Sequence, residues 1–225
     1  MHMYHDNFEV INVAASLRSS KALGPGNRAV LWVMGCNQRC RGCISPEWQS
    51  HEPVHWVNVK TLSQELLIDN PAVRGISISG GEPMLQSKST TAMLRYARQY
   101  RDFDVLVYSG YTLDQLLVSS LPGVQDFLDE IDVLIDGPYR QELAVNGQLF
   151  GSSNQRIHFL SDRIKPQEIT DWEHRLEIQV TEGQAMMVGI PDARHIAAFD
   201  SAIDRFHSQN SSQGISLSET HQEAE

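Results

Sequence analysis

Cysteine is nearly absent: the 225 residues contain three, at positions 36, 40 and 43. An odd set packed this tightly cannot form a disulfide framework. It points instead to metal or redox chemistry in a reducing compartment, and it excludes a second cluster held by four thiolates of this chain. Basic charge is also scarce, with 18 Lys and Arg against 28 Asp and Glu and a net charge of −10. That balance disfavours general nucleic-acid binding, which needs a basic face for the phosphates. Long apolar runs are missing: no stretch approaches the roughly 20 residues of a membrane span. The first ten residues are polar, carry His2 and His5, and lack the basic-then-apolar layout of a secretory leader. The expected location is cytoplasmic, with no membrane partner.

What is present suits a packed domain. Hydrophobic residues make up 41% and charged residues 20% of the chain, so a core can form. Four apolar runs, Ala29–Met34, Gly75–Ser79, Val105–Tyr108 and Val133–Ile135, show little polar alternation, as strands buried on both faces do. Helical patterns lie between them. Val59, Leu62, Leu66 and Leu67 form one apolar face; Met93, Leu94, Ala97 and Tyr100 form another; Leu113, Leu116 and Leu117 begin a third. Strands alternating with helices predict βαβ units, a parallel sheet and an α/β fold. Beyond Asp136 the rhythm changes. Residues 141–154 read as loop, Arg175–Thr181 and Ala185–Gly189 as strands around a Glu182-Gly183 turn, and Ile196–Phe206 as a short helix. Residues 208–225 are Ser, Gln and Glu with almost nothing apolar, the composition of a disordered tail. The expected organisation is one domain over 1–207, with a core of about 12–160, a C-terminal extension of about 162–207 and the tail 208–225.

Two motifs carry chemistry. Gly35-Cys36-Asn37-Gln38-Arg39-Cys40-Arg41-Gly42-Cys43 follows the first apolar run. Three thiolates suit a cluster with one iron left open, since ordinary [4Fe–4S] carriers supply four; an open position is where a catalytic centre binds its ligand. The same cysteines also suit structural zinc, with His51 or His55 as fourth ligand, or no metal at all. Ser77-Ile78-Ser79-Gly80-Gly81-Glu82-Pro83 follows the second run. Its glycines permit close backbone approach, and Glu82 brings a carboxylate to a strand's C-terminal end, the active rim of α/β barrels. A plain Gly-Gly turn has the same sequence.

Together the two motifs resemble the radical S-adenosylmethionine superfamily. The likeness extends further. Gly24-Pro25-Gly26-Asn27-Arg28 before Leu31–Cys36, Gly42 before Cys43, Tyr108-Ser109-Gly110-Tyr111-Thr112, Asp132–Pro138 and Gly151–Arg156 resemble segments of the activating proteins of anaerobic ribonucleotide reductases. This resemblance implies a partial, open (β/α) barrel of the radical S-adenosylmethionine type. It implies one [4Fe–4S] cluster on Cys36, Cys40 and Cys43. S-adenosylmethionine would be bound by Ser79, Gly80, Gly81 and Glu82 at its methionine end, with Ser109 and Tyr108 near the adenosyl group and Asp136 at the ribose. No catalytic residue is expected beyond the cluster ligands. The implied reaction is reductive cleavage to a 5′-deoxyadenosyl radical that installs a glycyl radical on a partner enzyme, with a flavodoxin- or ferredoxin-type electron donor. Alternatives are a radical enzyme acting on a peptide or small molecule, and an iron–sulfur carrier or zinc-stabilised binding module. Asp136 equally suits a turn cap before Pro138. The sequence departs from the family at Ile44–Trp48, in the extra Arg39 and Arg41, and in its long C-terminal extension.

Overall fold

The structure, a computed structural model, describes residues 9–181 and 184–212. Seven strands form one mixed sheet: β1 (Val10–Ser20), β2 (Arg28–Val33), β3 (Trp56–Asn58), β4 (Gly75–Gly80), β5 (Asp104–Tyr108), β6 (Val133–Asp136) and β7 (Arg156–Phe159), in the order β3-β1-β2-β4-β5-β6-β7. The four central strands run parallel; β1 and β7 pair antiparallel with the outer two of them, and β3 pairs antiparallel with β1. These four are the apolar runs of the sequence. Every residue of β2 and β6 is buried, because both sheet faces are covered.

One face carries the helices. α1 (Val59–Ser63), extended by a wider turn through Ile68, packs beside α2 (Ser87–Arg98); α3 (Leu113–Leu117) and α4 (Val124–Leu128) follow. Val59, Leu62, Leu66, Leu67, Met93, Leu94 and Ala97 are buried there with Leu31, Val33, Ile78, Val107 and Leu134. Two expected face positions turn outward: Tyr100 lies past the end of α2, and Leu117 is exposed on the last turn of α3. α3 starts with a capping box between Thr112 and Gln115, which satisfies two otherwise orphaned backbone donors.

On the other face, Val30 and Trp32 pack with Ala22, Leu23 and Val188, and Leu106, Val133 and Ile135 pack with Leu149 and Ile164. At its N-terminal edge lies Arg28, wholly buried. Its guanidinium donates to Ser77 Oγ at 2.8 Å and Ile76 O at 2.9 Å and lies 2.6 Å from Asp104 Oδ1. Burial pulls the pKa of Arg28 down, and the Asp104 carboxylate opposes that shift. Arg74 continues the network from Asp104 to Glu168.

Glu168 belongs to the C-terminal extension: α5 (Pro166–Thr170), β8 (Leu176–Thr181), β9 (Gln184–Gly189) and α6 (Ala193–Ser212). β8 and β9 pair antiparallel as a separate two-stranded sheet. Hydrogen bonds and ion pairs tie the extension to the end where the parallel strands begin, while Met186, Val188 and Ile190 join the apolar cluster of Trp32, Trp48 and Tyr108. Trp172 Nε1 donates to Lys21 O at 3.2 Å, Glu177 Oε1 accepts from Lys21 N at 2.8 Å, and Arg163 pairs with Asp102. α6 is longer than the expected Ile196–Phe206 and continues to Ser212, into the segment read as tail. The Glu182-Gly183 turn, His2, His5 and the tail from residue 213 lie outside the described residues. Among the described residues, no helix is long and apolar enough to cross a membrane.

Candidate cluster and cofactor site

β2, β4, β5 and β6 end together, and the motif residues lie on the loops that leave them. The cysteine loop leaves β2, and the Gly-Gly-Glu segment leaves β4 beside it. Gly81 N donates to Val33 O and Glu82 N to Gly35 O, each at 2.7 Å. This docking explains the glycines. A Cβ on Gly81 would stand 2.3 Å from Gly35 O, and one on Gly80, whose φ is 109°, would stand 2.4 Å from Val33 N. The close approach that the glycines allow is to the root of the cysteine loop.

Glu82 is buried, and its carboxylate ties three elements together. Oε1 accepts from Met84 N at 3.0 Å and Ser109 Oγ at 2.9 Å; Oε2 accepts from Gly110 N at 2.7 Å. Burial pushes its pKa up to about 7 against the pull of those hydrogen bonds. Ser109, named from the sequence, therefore meets Glu82 directly. Asn37 of the cysteine loop donates to Tyr111 Oη at 2.7 Å, joining that loop to the exit of β5.

The three thiols are half-buried. Burial raises Cys36 and Cys40, while backbone N–H groups aimed at the sulfurs work the other way, from Gln38 on Cys36 and from Tyr139 on Cys40. Gln38 N lies 3.4 Å from Cys36 Sγ. Such donors suit thiolates bound to iron. Among the described residues, no three His, Cys, Asp or Glu side chains gather at one point as ligands of a single metal ion. Zinc requires donors around one centre at about 2.0–2.3 Å, whereas a cube offers each thiolate its own iron. Three thiols, two of them with backbone N–H groups aimed at the sulfur, fit the donor set of a cube. His51, offered as a zinc ligand, instead packs its ring on Gly35.

Asp136 ends β6, buried, on the helix-facing side shared with Leu134. Its Oδ2 accepts from Leu113 N at 2.6 Å at the start of α3 and lies 2.9 Å from His158 Nε2, whose N–H is not aligned for a hydrogen bond. The residue therefore braces α3 rather than capping its own turn, and Oδ1 makes no hydrogen bond among the described residues. Gln155 and Asn154, in the Gly151–Arg156 segment, hold the loop after β6: Gln155 Nε2 donates to Gly137 O at 3.1 Å and Asn154 Nδ2 to Pro138 O at 2.8 Å. Asn154 Oδ1 is buried and makes no hydrogen bond among the described residues, and the same holds for Tyr108 Oη. Tyr108 stands on the face opposite the helices, and burial raises its pKa. Asn154 is not among the site residues expected from the sequence; only its place in Gly151–Arg156 hints at it.

A family model described as a 4Fe-4S single cluster domain matches residues 22–158, a stretch that includes both motifs and the loop after β6. The chain belongs to this single-cluster iron–sulfur family. Within it, the chain is one of the anaerobic ribonucleoside-triphosphate reductase-activating-protein type. It is 35% identical to that protein of Vibrio cholerae over 144 residues, which are 60% of this chain and 89% of the relative. It is 34% identical to that of Escherichia coli K12 over 149 residues, 61% and 91% of the two chains. The counterpart of Enterobacteria phage T4 is 26% identical over 157 residues, 67% and 91%. The V. cholerae and E. coli relatives are thus matched almost end to end by three-fifths of this chain, which leaves about two-fifths without a counterpart in them.

Proposed function

We propose that this chain is a radical enzyme that cleaves S-adenosylmethionine and installs a glycyl radical on a partner, in the manner its relatives' name implies for an anaerobic ribonucleotide reductase. In this reading the sheet is an open (β/α) barrel, and Cys36, Cys40 and Cys43 hold one [4Fe–4S] cluster. When bound, the cluster supplies one electron to the sulfonium of S-adenosylmethionine, releasing methionine and a 5′-deoxyadenosyl radical. The chain's own residues bind and orient. Ser79, Gly80 and Gly81 offer backbone acceptors to the methionine ammonium, and Glu82 fixes the Ser109–Gly110 turn beside them. Ser109 at the exit of β5 and Asn154 beside Gly137 flank the adenosyl group, and Asp136 supplies Oδ1 for the ribose hydroxyls.

The observation that carries the reading is the direct hydrogen bonding between the root of the three-cysteine loop and the Gly-Gly-Glu segment. A protein substrate is supported by the relatives, whose name makes another enzyme their target. Glycine is a fitting target, because its α-radical is delocalised over the flanking amides and no side chain blocks access. Anaerobic reconstitution should load about four irons per chain. Cys→Ala at position 36, 40 or 43 should strip them, and the reduced protein should release 5′-deoxyadenosine. Stoichiometric zinc without iron would end the proposal.

A further inference from the structure

Of the fourteen arginines, ten engage a backbone carbonyl or a carboxylate through the guanidinium. The other four, Arg39, Arg41, Arg140 and Arg156, make no side-chain hydrogen bond or ion pair among the described residues, and all four are exposed. They are not scattered. Arg39 and Arg41 lie between the cysteines. Arg140 lies between Tyr139, whose N–H faces the Cys40 sulfur, and Gln141, whose side chain packs on Gly42. Arg156 opens β7 opposite Asp136, at the same end of the sheet. The segment from Cys36 to Cys43 has no acidic residue; the exposed carboxylates of Glu47 and Glu142 sit on adjoining turns.

Arg39 also has φ 50°, the one positive value at a non-glycine residue among the described residues. Long side chains seldom occupy that region, and glycine or asparagine would sit there more easily. Strain of this kind, held in place by a loop, is typical of functional positions. Ile44, next to Cys43, is 57% exposed and gives the cationic rim an apolar contact.

We infer that Arg39, Arg41 and Arg140, with Ile44 among them, form the docking surface for an acidic one-electron carrier protein. The inference rests on the cluster assigned above. A chain of net charge −10 repels acidic proteins over most of its surface, and a cationic rim confined to the thiol loop steers them to the cluster. A carrier must leave after each electron, and a small charge-steered contact of unpaired arginines suits such a transient encounter. The carrier loses one electron and the cluster gains one; no atom is transferred.

The test uses a purified acidic flavodoxin as probe and the variant Arg39→Asn/Arg41→Gln/Arg140→Gln, with asparagine chosen for the left-handed position. Stopped-flow reduction of the reconstituted wild-type cluster by flavodoxin hydroquinone should slow steeply as salt is added. The variant should be at least about tenfold slower at low salt, with a flat salt dependence. Its iron content and its reduction by a small neutral photoreductant should stay unchanged. The metal-free chain supplies an independent readout: its Kd for oxidised flavodoxin should weaken about tenfold or more in the variant. Equal rates, salt slopes and Kd in the two proteins would overturn the inference. It would also be overturned if the variant kept wild-type reduction but lost binding to the glycyl-radical partner, because the rim would then serve that partner. Failure to cleave S-adenosylmethionine would leave these readouts intact, so the two proposals fail separately.

Discussion

Glu82 joins the Gly-Gly-Glu segment to the exit of β5 through its buried carboxyl group. Its carboxyl titrates at about 7 in the folded protein against an ordinary 4.5, raised by burial. Between those values the native state keeps a proton that the unfolded chain has lost. The stability linked to Glu82 is therefore complete below 4.5 and declines as pH rises through 7, by roughly 3 kcal/mol in all. Denaturant unfolding of the metal-free protein across about pH 5 to 8 should show this decline, and Glu82→Gln should flatten it. Equal slopes would assign the dependence to another group. At Gly81 the constraint is steric. Gly81→Ala puts a methyl 2.3 Å from Gly35 O, so the two motif loops must separate. We expect a loss of about 3 kcal/mol or more together with reduced iron retention. A variant with wild-type melting temperature and full iron would contradict the role given to this contact.

At the scale of elements, the extension is held by one face of its hairpin. Val188 on β9 is 1% exposed against Val30 and Trp32, while Ile178 on β8 points outward at 63%. Val188→Asp should destabilise by roughly 3 kcal/mol, whereas Ile178→Asp should stay within about 0.5 kcal/mol; thermal melts distinguish the two. Equal effects would mean that the hairpin does not dock by this face. The elements legible in the sequence were those with an unambiguous pattern. The four parallel strands are short apolar runs because both faces are covered, and α1 and α2 display full apolar stripes. β1 was not legible. It is an antiparallel strand with irregular register, a partly exposed face, and Ala, Ser and Arg between its apolar residues. β7 is four residues with none buried. The motif residues were visible as residues, but their partners were not. Glu82 meets Ser109 and Gly110, and Asp136 meets Leu113 and His158, only after the strands are aligned. No local pattern encodes such contacts across 20 residues or more.

For the whole molecule, the central claim is that a three-thiol cluster loop and its adjoining cofactor segment generate a radical delivered to glycine in a partner. Buried Arg28 and Asp104 secure the strand starts, and the motif loops gather where the strands finish. The most direct measurement is electron paramagnetic resonance on the reduced, iron-loaded chain mixed with S-adenosylmethionine and a co-encoded anaerobic ribonucleotide reductase. The account predicts a doublet glycyl-radical signal on the reductase, with 5′-deoxyadenosine formed alongside it and neither seen with a Cys36→Ala chain. No such signal with any candidate reductase, while a peptide or small molecule is consumed in step with 5′-deoxyadenosine formation, would contradict it.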